Sequence, residues 1–581
     1  MKYPTLKAPS GTREMLDTFK GYNHNLRIAD GEFYAMENMT SSYYPLLSPR
    51  GKRGVYASPA APMGLIAKDG LCYVDGENLV VNGYPVDMGL TDEPKQLVSM
   101  GAYVVILPDK KYINTLDLTD FGSLDASFTT TADVTFELCT VDGEAYADAT
   151  VADTEPEEPE NLALWIDTSS TPHSLKKYSA ASGMWVSIAS TYIKISSPGI
   201  GTAFSQYDGV MISGVVGESL QDLNATMVLW ACGDDYIVVT GILDAVTTQA
   251  IDDGPVTVER KMPAVDFVTE SGNRLWGCRY GVANNGEVVN EVYACKLGDF
   301  KNWNCFMGLA TDSYSASCGT DGPFTGAITH LGFPLFFKEN FVHKVYGSYP
   351  ANFKIQDTAL RGVQQGCDKS MAIVNEILYY KARHAVVAYD GALPVDVSAA
   401  FGEERYSEAA AGAHGNKYYI SMRDSKDAWH LFVYDTTRGM WHREDGLRAD
   451  CFCSCRDELY AIDHNTRKII TMLGSGTQDK DRVKWMVQTG VIGTDMPDMK
   501  YVSRLLVRLS LEIGARVMLF AQYNSMGGWE SLGTFTGTDL RSFSLPVRPR
   551  RCDHLRLRIE GEGDAKIYSI TKTIEQGSDI S

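Results

Sequence analysis

Residues 375–380 read Asn-Glu-Ile-Leu-Tyr-Tyr and residues 385–391 read Ala-Val-Val-Ala-Tyr-Asp-Gly. The same music returns at 416–421, Asn-Lys-Tyr-Tyr-Ile-Ser, with 430–435, His-Leu-Phe-Val-Tyr-Asp, and at 457–463, Asp-Glu-Leu-Tyr-Ala-Ile-Asp, with 468–471, Lys-Ile-Ile-Thr. Each copy is a polar turn, an alternating strand, a second turn and a second strand, which is the hairpin signature. Working back, 332–337 pairs with 343–346, and 273–279 with 291–295; earlier still come 64–76 and 102–113. Between residues 266 and 473 the units recur about every 40–50 residues, the period of four-stranded propeller blades. A lone blade cannot bury both faces, so blades must pack on one another. The pattern predicts an all-β protein, a β-propeller with an inserted small β-domain and a C-terminal β-sandwich. A string of separate sandwiches is the alternative.

Composition supports several large cores: 581 residues, 44% hydrophobic and 22% charged, enough for about three to five domains. The expected boundaries are an extended N-terminal arm over 1–55, first blades over 56–118, an insert over 119–262, the remaining blades over 263–478 and the sandwich over 479–581. The insert opens on an acidic stretch, 133–160, without Lys or Arg, whose end (153–160, Asp-Thr-Glu-Pro-Glu-Glu-Pro-Glu) reads as a stiff, self-repelling linker. Beyond it lies a small β-unit with Trp165 and Trp185, which form either a mini-core or a sugar-binding face.

The formal charge of −20 argues against a surface that wraps nucleic acid, since phosphate binding needs Lys and Arg. No apolar run reaches the ~18 residues that would span a bilayer, and the start has no apolar signal core. The C-terminal block, from residue 483 on, is nearly balanced, with Arg548, Arg550, Arg551, Arg556 and Arg558 close together. These suit an acidic protein neighbour, a second copy of the chain included, better than phosphate. Cys451, Cys453 and Cys455 alternate along a strand, whereas zinc ligands want a turn between them; no metal site and no cofactor are expected. No GxSxG, Walker or Rossmann pattern occurs, and the glycine turns at 199–201 and 281–286 precede no helix that could cradle phosphate. Propellers can host glycosidases, which need two carboxylates in a cleft, but no acid pair stands out.

The leader carries a further pattern. Residues 19–23 read Phe-Lys-Gly-Tyr-Asn, and 31–53 contain Glu-Asn-Met, then Tyr-Tyr-Pro-Leu-Leu-Ser-Pro-Arg-Gly-Lys-Arg, followed at once by hairpins. This resembles the tailed-phage nozzle proteins, also called tail tubular protein B or stabilisation proteins. The unit at 164–188 is similar to short modules of phage tail and fibre proteins. The resemblance implies a structural, non-enzymatic virion component: a homo-oligomeric ring, commonly a hexamer, below the portal and adaptor. Double-stranded DNA would pass through it without sequence-specific binding, and the protein would be assembled in the host cytoplasm. Tyr44, Pro45, Pro49, Arg50 and Arg53 are the candidate assembly arm, extended because residues before proline avoid the helical region; the same residues could instead complete their own propeller. A receptor-binding role, with Trp165 and Trp185 touching host surface polysaccharide, is the second expectation, and a propeller glycosidase the third.

Overall fold

A computed structural model describes residues 11–146, 149–283, 286–475, 482–493, 499–545 and 551–576. Regular structure is almost wholly strand; the helical elements among the described residues are short 3-10 turns, and no helix there is long and apolar enough to cross a membrane. The protein is all-β, a β-propeller with an inserted β-domain and a C-terminal β-sandwich. It divides into two compact units, taken in turn.

The first unit (residues 1–95, 337–342 and 358–581) holds four blades. The first is built from Pro62–Ala67, Leu71–Asp75, Asn78–Val81 and Tyr84–Asp87. Two more run from Ala372–Val374 to Val395–Asp396 and from Tyr406–His414 to Met440–Arg443. The last takes three strands from Ala449–Cys455, Glu458–Asp463 and Ile469–Thr471. Its fourth is Gly54–Ala57, with Val55 opposite Ile470. The chain's leader thus supplies the outer strand of its final blade, and Ala449–Cys455 packs beside Pro62–Ala67. Cys451, Cys453 and Cys455 pack with Leu71, Ile462 and Ile469.

In the sandwich, Lys500–Tyr523 is a 24-residue strand whose two halves pair with different neighbours. Its first half pairs with Ala565–Gln576, its second with Leu555–Glu562, and Glu530–Leu545 runs beside both. Odd-numbered residues from Leu505 to Tyr523, Ile513 excepted, point inward, the period expected of a strand with one buried face. The ladder does not stop at the sandwich. It continues through Lys484–Thr489 to the leader strands Glu32–Glu37 and Gly21–Tyr22, and on to Met440–Arg443 of a blade. The extended arm expected over 1–55 is therefore, where described, a set of paired strands. Gly11–Leu16 pairs with Ala565–Gln576, and Phe33, Met36 and Met39 are fully buried. Those three side chains account for the difference, since each gains roughly 1.5–3 kcal/mol from leaving water.

The second unit (residues 96–336 and 343–357) holds blades from Gln96–Met100 to Phe121–Ser123 and from Phe267–Glu270 to Tyr314–Ser317, with most of a third that begins at Gly326–His330. Between its first two blades sits the inserted domain, a four-stranded and a five-stranded sheet around Phe136, Ile195, Val210, Ile212, Ile237 and Val258. The acidic stretch begins with the strand Val134–Cys139 of the five-stranded sheet. Alternation turns Val134 and Phe136 inward and leaves Thr135 and Glu137 half-exposed, so acids there carry no burial cost. Residues 153–160 contain no strand, and Asp148 lies outside the described residues.

Candidate functional site: a charged cavity behind the leader

The leader residues Arg50 and Arg53 converge on two adjacent acids of a blade, Glu444 and Asp445. Arg53 Nη2 donates to Glu444 Oε2 (2.6 Å) and Nη1 to Asp445 Oδ2 (2.7 Å). Arg50 Nη2 reaches Asp445 Oδ2 at 3.3 Å, and its Nε donates to Asn38 Oδ1 at 2.8 Å. Burial alone would push Asp445 up; the guanidinium groups of Arg53 and Arg50 override it and hold the carboxyl below its ordinary value. For Arg53, burial opposes the charge, and Asp445 and Glu444 restore it beyond its ordinary basicity. Such forked pairs are geometrically specific as well as strong.

The rest of the leader motif is held the same way. Ser41 Oγ donates to Asp435 Oδ2 (2.6 Å), and Lys417 Nζ donates to Thr40 Oγ1 and Ser42 Oγ (3.0 Å each). The Arg438 guanidinium lies 5.1 Å from the Tyr44 ring centre. The carbonyl of Pro45 accepts from Phe19 N–H (3.1 Å), and Pro49 lies opposite Met39. All five residues of the candidate arm are thus engaged within the first unit. The acids that Arg53 binds, Glu444 and Asp445, were not singled out from sequence, because nothing local marks an acid whose partner lies some 390 residues away.

Behind this lock opens a cavity of about 670 Å³. The leader lines it with Tyr43, Arg50 and Lys52, the blades with Lys417, Tyr419 and Glu444, and the sandwich with Arg482, Glu512 and Asp564. Glu512 N–H donates to the carbonyl of Asp564 (3.2 Å), which sets two carboxylate-bearing residues on neighbouring segments of one wall. The cavity mixes both charges with tyrosine rings, a lining suited to a polar, hydroxyl-rich ligand.

A second cavity of the same unit, about 280 Å³, is lined by Lys381, His384, Asp396, Glu404, Arg405 and Tyr406. Lys381 is buried, its ammonium donating to the Gln364 side-chain oxygen (2.9 Å) and the Ala382 carbonyl (2.5 Å). Burial lowers its pKa to about 8. The folded value lies below the unfolded one, so the cost of burying the ammonium is full below about pH 8 and fades as pH rises toward the ordinary lysine value. Lys381→Met should therefore raise stability at pH 7 by about 1–3 kcal/mol relative to its effect at pH 10, read by urea unfolding at both pH values. Equal effects at the two pH values would contradict it.

Trp165 and Trp185 lie in the other unit. Trp165 is 5% exposed, its indole N–H donates to the Ala152 carbonyl (3.0 Å), and the Lys176 ammonium sits 4.5 Å over its ring. Trp185 meets it edge-on at 5.4 Å. The two rings pack together beside Lys176, which lies opposite Trp165 on the neighbouring strand, and Trp165 is too little exposed to offer a face to a sugar. Of the C-terminal arginines, Arg556 lies over Tyr34 and Arg558 over Trp529, with Arg558 also bound to Glu560 (2.6 Å); Arg548 and Arg550 lie outside the described residues, as do positions 284 and 285 of the glycine turn. The strand thiols are pushed up by burial, Cys451 to about 11 and Cys453 to about 12. They should react with a disulfide reagent at pH 8 at least tenfold more slowly in the folded than in the urea-unfolded protein; equal rates would contradict the raised thiol pKa.

No family model and no curated protein matches the chain. Solved structures do. An exo-β-1,3-galactanase from Phanerochaete chrysosporium is 8% identical over 53% of this chain and 94% of its own, with a TM-score of 0.22. A sialidase from Trypanosoma rangeli is 9% identical over 69% and 94%, with a TM-score of 0.23. PorZ, a surface component of the type-IX secretion system of Porphyromonas gingivalis, is 9% identical over 90% and 71%, with a TM-score of 0.25. The expectation that the chain is not an enzyme does not stand: glycoside hydrolases and a sialidase are among the structures it is similar to.

Proposed function

We propose that the chain is a structural component of a bacteriophage tail, an oligomeric nozzle or hub ring through which the genome is ejected. The observation that carries this reading is the use made of the leader. The residues that resemble the nozzle family, 19–23 and 31–53, are those that join blade to sandwich through one continuous ladder and the Arg50–Arg53–Glu444–Asp445 lock. A part that must hold its shape while a duplex passes needs such a joint more than it needs a mobile arm. The acidic balance of the whole chain suits a conduit that does not hold phosphates. Its partners in this reading are further copies of itself, a hexameric ring being the expected form, together with portal and adaptor proteins. Native mass spectrometry of the protein mixed with those partners tests it: a closed ring of fixed copy number is expected, and a monomer under the same conditions would overturn it.

A second reading is favoured by the 670 Å³ cavity, where Glu512 and Asp564 stand with Tyr43 and Tyr419. Two carboxylates and aromatic rings around a polar space are what a glycan-cleaving or glycan-binding site requires. Incubation with host surface polysaccharide should then release reducing ends, and Glu512→Gln with Asp564→Asn should abolish the release. No release by the unaltered protein would remove this reading.

A further inference from the structure

One cluster in the second unit belongs to none of the features above. His343, on the strand Phe341–Tyr346, is completely buried. Its Nε2 lies 2.9 Å from the hydroxyl of Thr320, and its Nδ1 lies 2.6 Å from Asp357 Oδ1. Thr320 sits in the connection between Tyr314–Ser317 and Gly326–His330, half-buried, and Asp357 lies on Lys354–Ala359 with about a third of its side chain (35%) exposed. With Nδ1–H donated to the carboxylate, Nε2 is the ring's acceptor and faces the hydroxyl proton. That is the wiring of an activated nucleophile: a hydroxyl, a base, and an acid that fixes the base's tautomer.

The surroundings favour an uncharged acyl group. Phe324 meets the His343 ring edge-on at 5.7 Å and Phe336 at 6.3 Å, so one side of the imidazole is apolar. Gly319, next to Thr320, is exposed, and a methyl group in place of its hydrogen would touch Asp357 Oδ2 at 3.4 Å. The backbone before Thr320 thus passes close to the Asp357 carboxylate.

We propose that Thr320, His343 and Asp357 form an esterase centre for short, uncharged carboxylic esters. Thr320 Oγ attacks the ester carbonyl while its proton passes to His343 Nε2. The tetrahedral adduct collapses, the C–O bond to the alcohol breaks, and the leaving alkoxide takes the proton from His343. Water, deprotonated by the same nitrogen, then attacks the acyl-threonine; carboxylic acid leaves and the hydroxyl is restored. Asp357 is a positioning residue throughout.

The test uses the full chain with p-nitrophenyl acetate. Acid-quenched protein should carry one acetyl group on the peptide containing Thr320, and steady hydrolysis should fall about 100-fold or more in Thr320→Ala while Thr320→Ser retains it. Asp357→Asn should lower the rate and alter its pH profile, a change that a purely structural bond would not produce. Circular dichroism establishes that each variant is folded. Acetylation elsewhere, equal rates in folded Thr320→Ala, or no turnover above buffer by the unaltered protein would overturn the proposal and leave the cluster as a bolt between strands. None of these outcomes bears on ring formation.

Discussion

Arg53→Ala is expected to destabilise the first unit by about 3–5 kcal/mol, the cost of leaving buried acids without their counter-charge. Arg53 is 12% exposed and binds Glu444, 8% exposed, and Asp445, 27% exposed, so little water is available to replace it. Arg50 remains nearby, but its contacts with the same acids are longer, 3.5 and 3.3 Å, and it cannot take both forks. Arg53→Lys should restore only part of the loss, because an ammonium cannot bind two carboxylates with a planar fork. Adding Glu444→Gln and Asp445→Asn to Arg53→Ala should recover stability relative to Arg53→Ala alone, since the uncompensated charge disappears. Thermal and urea unfolding read all four proteins. A loss under 1 kcal/mol for Arg53→Ala would show the lock to be ornamental.

Removing residues 1–57 is the second large perturbation. It takes away Gly54–Ala57, so Ile469–Thr471 becomes an open edge, and it takes away Glu32–Glu37, which pairs with Lys484–Thr489 in the ladder from sandwich to blade. Open edges template pairing between chains. The shortened protein should partition at least tenfold more into the insoluble fraction. Full solubility of the 1–57 deletion would contradict the role given to the leader.

The blades were legible because their information is local: Tyr418, Tyr419 and Ile420 face Tyr434, Val433 and Phe432 across a turn a few residues long. The leader's fate was not, because Arg53 finds Asp445 only after nearly 400 residues and Val55 finds Ile470 only after more than 400. Its extended character could be read from the prolines, but its partners could not. The strand at the start of the insert was hidden for a different reason. Ten acids in one stretch mask the period-2 signal of Val134, Phe136 and Leu138, although a solvent-facing acid is compatible with any strand. Trp165 and Trp185 lie in one four-stranded sheet, where the backbone alternation and Lys176 decide which faces stay dry. The Thr320–His343–Asp357 cluster had no signal at all, since its members sit on two strands and a connection at unpatterned spacing.

For the proposed tail role, cryo-electron microscopy of the phage particles it implies is the most direct measurement. The expected result is a closed ring of identical copies beyond the portal and adaptor, in each of which the strand Glu32–Glu37 lies between sandwich and blade. Particles that lack the chain altogether, or that carry it as isolated copies away from the genome's exit, would contradict the proposed role.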